Sequence, residues 1–174
     1  MTKPVKIIMA AVFLFILLII QTTVLDYIRI FGIMPNILLI SVICYSFCAS
    51  DLRGLVFGVL CGIFMDVTGG RIIGINTLLY TYAAFSCLWV CDKLYNNNEI
   101  IAAVFTFVIS LVYGAVVYIT NFLIWGHTEF LHAVFKVIIP ETIYNTFVAL
   151  FIYPAARFVA SGPKKKRKKQ EKYL

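Results

Sequence analysis

Six apolar runs, at about residues 5–24, 36–50, 54–68, 72–91, 100–125 and 133–160, follow one another with only short polar breaks between them. A chain written this way has almost no sequence left for a water-facing surface. Of its 174 residues 62% are hydrophobic and 13% charged, where a soluble domain has roughly 45–50% and 25%. The class that fits is an integral membrane protein. Inside a bilayer the backbone must satisfy its own hydrogen bonds, which leaves helices or a closed barrel, and continuous apolar runs of this length favour helices over alternating strands. The expected architecture is an all-α, six-span helical bundle over residues 1–162, followed by a polybasic cytoplasmic tail over 163–174.

The first run, behind Lys3 and Lys6, has the look of a signal sequence, but no small-x-small cleavage pattern follows it and further spans do. It reads as an uncleaved first span with its N-terminus in the cytoplasm. Pro35 and Asn36 open the second run, since proline is tolerated in a first helical turn. Runs two and three, roughly 14 residues each, reach only about 21 Å against a hydrocarbon core of about 30 Å. This hairpin must borrow flanking residues, thin the bilayer or shelter among longer helices. With six spans, Lys3, Lys6, Arg53, Lys93, Arg157 and the tail share one side, and Arg29, Arg71 and Lys136 lie on the other. The basic side is expected to be cytoplasmic.

Within the third run, Gly54, Gly58, Gly62 and Asp66 stand at successive steps of four. Each step of four turns a helix by about 400°, so the set covers about 120° of one face. The result is a bare backbone groove that ends in a carboxylate. Interior glycines cost roughly 1 kcal/mol each against alanine, and their return in a membrane is that another helix can come close. Gly69 and Gly74 continue the pattern into the following turn. The groove serves either a neighbouring span of the same chain or the helix of a partner protein, and Asp66 argues for something specific. If the neighbour is internal, leucine at Gly58 or Gly62 overpacks the bundle; if it is a partner, the protein folds and binding alone is lost, and the expectation is that Gly62→Leu stays folded but loses partner capture and rod-like growth, with Asp66→Asn intermediate.

Asp66 needs an account of its own, because a carboxylate in a span is costly and faces a cavity, a partner or a helix end. One reading has it bond the first amides of span four through the turn at 68–71. The other has it meet a partner. Glu141 and Asn145, four apart on the sixth span, carry the same two readings, and they would meet Asp66 if spans three and six adjoin. Span four is the most polar, with Asn76 and Tyr80 the candidates for converging groups. Span six is interrupted by Pro140 and Pro154, which predicts a kink.

Chemistry beyond this is sparse. Cys44, Cys48, Cys61, Cys87 and Cys91 all lie in apolar runs and read as small core residues. His127 and His132 are five apart in a presumed loop, not the spacing of a zinc pair on a helix face. There is no nucleophile elbow, phosphate loop or second aspartate beside Asp66. The expectation is no enzyme, no metal and no cofactor. The run Lys164, Lys165, Lys166, Arg167, Lys168 and Lys169 is expected to contact anionic lipid at about 1 kcal/mol per charge.

Taken in order, Pro35-Asn36, Gly58-x-x-x-Gly62-x-x-x-Asp66, Gly69, Gly74, Pro140, Asn145, Pro154 and a basic tail resemble the rod shape-determining protein MreD family over nearly the whole chain. Asn36 departs from the aspartate common after that proline in the family. The resemblance implies a non-enzymatic component of the bacterial inner membrane, a scaffold that supports rod shape and lateral peptidoglycan synthesis. It implies an MreC-like single-span partner and, through it, RodA, a class B penicillin-binding protein and the actin-like MreB. It also implies a fold similar to the substrate-binding subunits of energy-coupling-factor transporters. The competing expectation is therefore a small-molecule carrier subunit, with Asn76, Tyr80, Glu141 and Asn145 lining its pocket.

Overall fold

A computed structural model of the chain describes residues 3–24, 27, 32–49, 52–69, 72–93, 99–125 and 134–161. Every regular element among them is helical. In chain order they are α1 (Lys3–Ile19), extended by a π-helical turn (Ile20–Val24); α2 (Ile37–Ala49); α3 (Leu52–Gly69); α4 (Ile75–Lys93); α5 (Glu99–Trp125); and, after a π-helical turn (Val134–Ile138), α6 (Ile139–Ser161). The polybasic tail, the two histidines and the 94–98 loop lie outside the described residues.

α2 begins one residue later than a proline-led start requires. Asn36 is the N-cap: its side-chain Oδ1 accepts the Leu39 N–H at 3.0 Å, and its carbonyl accepts the first intrahelical bond, from Ile40 N–H at 3.0 Å. Pro35 stands just ahead of the cap and is buried. It fixes the approach to the helix and is not its first turn.

α2 is apolar all round, and all 13 of its residues except Cys48 are buried. A helix with no polar face belongs in the middle of its neighbours. α3, α4, α5 and α6 all pack against it. This central position settles how so short a helix, about 20 Å long at 1.5 Å per residue, is accommodated: longer helices surround it. α3 is longer than the sequence pattern suggests, 18 residues from Leu52 to Gly69, or about 27 Å.

Two segments, Glu99–Thr120 and Val134–Ala160, are long and apolar enough to cross a membrane, with mean hydropathies of 2.6 and 1.4. Ile8–Thr23, Ile37–Ala49 and Ile75–Val90 are apolar but shorter. In α6 the interruption expected from its prolines takes a definite form at Pro140. A proline has no N–H and its ring displaces the carbonyl four residues back; the five-residue π turn Val134–Ile138 ends two residues before it and includes that carbonyl's residue, Lys136, where the wider ladder takes up the mismatch. The helix runs on through Pro154 to Ser161.

Candidate functional site

Contrary to the expectation that leucine at Gly62 would spare the fold and cost only partner capture, the glycine face of α3 is filled by this chain's own helices. A Cβ placed on Gly54 would lie 2.9 Å from the Cα and Oγ of Ser46 on α2. One on Gly58 would lie 2.9 Å from Ala84 Cβ and 3.0 Å from the Tyr80 carbonyl on α4, and 3.3 Å from Val42 on α2. At Gly62 it would run into the backbone of Thr77. The pairings 54 with 46, 58 with 80 and 84, and 62 with 77 run in opposite directions, so α3 lies antiparallel to both α2 and α4. Glycine at these three positions is what lets the backbones approach.

Asp66, at the far end of the same face, is buried and is consumed in one task. Its Oδ2 accepts the Gly74 N–H at 3.0 Å, the Thr77 N–H at 3.0 Å and the Thr77 hydroxyl at 2.5 Å. Its Oδ1 accepts the Asn76 N–H at 3.1 Å. These amides stand at the start of α4, where no intrahelical acceptor exists and where the helix dipole favours negative charge. The carboxylate caps α4 from the neighbouring helix. Gly74 makes this possible with φ +100, a conformation that side-chain-bearing residues rarely adopt. Gly69 closes α3.

From this cap a buried polar layer extends across the bundle. The Tyr113 hydroxyl on α5 donates to Asn76 Oδ1 at 2.7 Å. The Tyr80 hydroxyl on α4 donates to Asn36 Oδ1 at 2.7 Å. The two tyrosine rings lie 5.8 Å apart, centroid to centroid. The Asn36 N–H donates to Asn145 Oδ1 on α6 at 2.8 Å, and Asn145 Nδ2 donates to Ser110 Oγ on α5 at 3.2 Å. Gln21, in the π turn after α1, accepts the Ile37 N–H at 2.9 Å. All six helical segments thus join one hydrogen-bonded layer, and in low dielectric such a satisfied network fixes a single arrangement.

Of the polar positions named from the sequence, Asn76, Tyr80 and Asn145 fall in this layer. Asn145 is joined to α2 and α5, while the four bonds to Asp66 all come from residues 74–77, so the two are held by different helices. Glu141 is half-buried one turn before Asn145. Three contributors, Gln21, Ser110 and Tyr113, were not singled out. The signal for two of them was present: Thr106, Ser110 and Tyr113 recur at steps of four and three along an otherwise apolar helix, which places them on one face. Cys44, Cys61 and Cys87 are buried and Cys48 is half-buried. Among the described residues no three His, Cys, Asp or Glu side chains gather in a metal-binding group.

Compared with known protein families, residues 1–159 match the family described as rod shape-determining protein MreD. The chain belongs to the MreD family. No curated protein and no solved structure gives a match. Membership makes this a membrane protein with a role in determining rod shape, in a family that acts structurally. Asn36 accepts two hydrogen bonds through a neutral side chain, and asparagine caps a helix about as well as aspartate.

Proposed function

We propose that this protein is a non-enzymatic scaffold of the bacterial elongation machinery, which grips partner membrane proteins and so supports rod shape and lateral peptidoglycan synthesis. The observation that carries the reading is the MreD family match across residues 1–159. Its direct partner is an MreC-like single-span protein, through which RodA, a class B penicillin-binding protein and MreB are reached. The bundle suits that work in one respect. Its polar groups hold its own helices together, while α5 and α6 turn large apolar side chains outward, among them Phe107, Leu111, Phe147 and Phe151. These are surfaces for lipid and for another protein's helix.

A pocket for a small ligand would need the polar side chains to converge on space. Asn76, Tyr80 and Asn145 instead bond to α5 and to the start of α2, and of the four candidates only Glu141 makes no side-chain hydrogen bond among the described residues. The decisive experiment is co-purification of the full chain in mild detergent from cells that express it at native level, paired with its depletion. Capture of a single-span MreC-like protein and conversion of rods to spheres are the expected results. Rods that persist on depletion, with no such protein captured, would remove the reading.

Membrane orientation belongs to the same proposal: six spans in the bacterial inner membrane, with both termini in the cytoplasm. Reporters fused after Asn97 and after Leu174 should read cytoplasmic, and one fused after Gly126 should read external. Opposite sides for Asn97 and Leu174 would refute the six-span arrangement.

A further inference from the structure

α6 carries a carboxylate that the bundle does not use. Glu141 lies in the apolar segment Val134–Ala160, seven residues from its start, or about 10 Å at 1.5 Å per residue. Centred on a hydrocarbon core of about 30 Å, a segment roughly 40 Å long sets that position some 5 Å inside the core's edge. Asp66 takes four donors. Glu141 takes none among the described residues and forms no ion pair with them, although Lys136 stands only five residues before it. We infer that Glu141 receives a lysine or arginine from the transmembrane helix of a partner protein, which docks along the seam between α5 and α6.

Two contacts locate the seam. Asn145 donates to Ser110 on α5, and a Cβ on Gly114 of α5 would lie 2.9 Å from Ile138, so positions 138 and 145 both face α5. Glu141 stands about 60° and 40° round the helix from them, on the same side of both, and it is half-buried. It therefore lies at the lip of the α5 contact. Tyr144, Val148 and Ile152, all within about 60° of it, are half-buried too, and Ala155 is exposed. The lip runs about 21 Å from position 141 to position 155. An apolar line of that length, with one carboxylate near its end, is the complement of a helix that carries one cation. A hard metal ion needs several oxygen ligands, and among the described residues Glu141 joins no metal-binding group. A lone charge within a membrane is costly and is found paired. The same holds for a lysine or arginine at matching depth in another helix, so each charge relieves the other and both reject a partner without it. The inference rests on the scaffold reading and names the contact through which a partner is gripped.

The test puts the photoreactive amino acid p-benzoylphenylalanine in place of Tyr144, aromatic for aromatic, in the full chain expressed at native level. Irradiation should join it to a membrane-spanning segment of one protein, and peptide mass spectrometry should find a lysine or arginine near one end of that segment. Glu141→Gln, nearly isosteric, should keep the wild-type melting temperature and lower the cross-linked yield about tenfold, the scale of a charge-assisted hydrogen bond. Glu141→Lys should abolish the product, and glutamate in place of the partner's cation should restore it to Glu141→Lys but not to wild type. If Glu141→Lys does not fold, Glu141→Gln combined with glutamine at the partner's cation should lose no more than either change alone. Lys136→Gln and His132→Gln should leave the yield unchanged. A segment without a cation, or a yield indifferent to Glu141→Gln, overturns the inference. So does an equal loss in Lys136→Gln or His132→Gln, which would give Glu141 its partner within the chain. A protein that co-purifies yet cross-links only from a probe in place of Phe85, exposed on α4, leaves the scaffold reading standing and removes this contact. If nothing co-purifies, both fall.

Discussion

Leucine at Gly62 should leave little folded protein. A Cβ alone at that position runs into the Thr77 backbone, and backbone cannot step aside as a flexible side chain can. Overpacking a close-packed core costs about 1–3 kcal/mol, occasionally more, and here the collision also pushes α4 away from its cap on Asp66. The measurement is the amount of monodisperse protein recovered in detergent and its melting temperature. Gly62→Ala should show a smaller loss in the same direction, and Gly58→Leu a loss approaching that of Gly62→Leu, since its neighbours include the Tyr80 carbonyl as well as the Ala84 methyl. Wild-type yield and melting for Gly62→Leu, with only partner capture lost, would mean that the face is open in the folded protein and would contradict the α3–α4 contact.

Removing the Asp66 carboxylate is the second large effect. Asp66→Ala strands three amides and a hydroxyl where water cannot readily replace the acceptor, at a cost of about 1–3 kcal/mol for each donor left unsatisfied. Losses of that size should prevent α4 from docking, seen as protease sensitivity of the 70–77 turn and loss of folded yield. Asp66→Asn should fall between Ala and wild type. Asparagine caps well when one oxygen is needed, but both oxygens accept here, so its NH₂ must face an N–H in either orientation. Asp66→Asn indistinguishable from wild type in melting temperature would show that one of the two oxygens contributes nothing.

The helical elements were legible in the sequence because apolar runs and their breaks are local signals, and the observed helices fall close to the runs. The cap on α4 was legible as one of two alternatives, since the Asp66 carboxylate lies only a turn's length before Gly74. Periodicity placed the glycines on one face and could say nothing of what covers that face. The answer depended on α2 being central, which follows from how four other helices pack and not from any property of residues 37–49 taken alone. Asn145 illustrates the same limit: its acceptor oxygen serves an amide 109 positions earlier, and no local pattern encodes that pairing. Tyr113 escaped notice because a tyrosine in an apolar helix resembles an interfacial ring until its hydroxyl is seen to reach Asn76.

The central position of α2 also bears on the order in which the chain is made. Chains are synthesised from the N-terminus, so α2 emerges long before α6, which covers it and supplies the acceptor for its first amide. Until then the face of α2 that α6 covers has only lipid or the insertion machinery against it. The bundle therefore closes last at its C-terminal helix. A ribosome stalled after α5 would hold a chain with every helix but one, in which the Asn36 N–H still lacks the Asn145 oxygen it bonds in the finished protein.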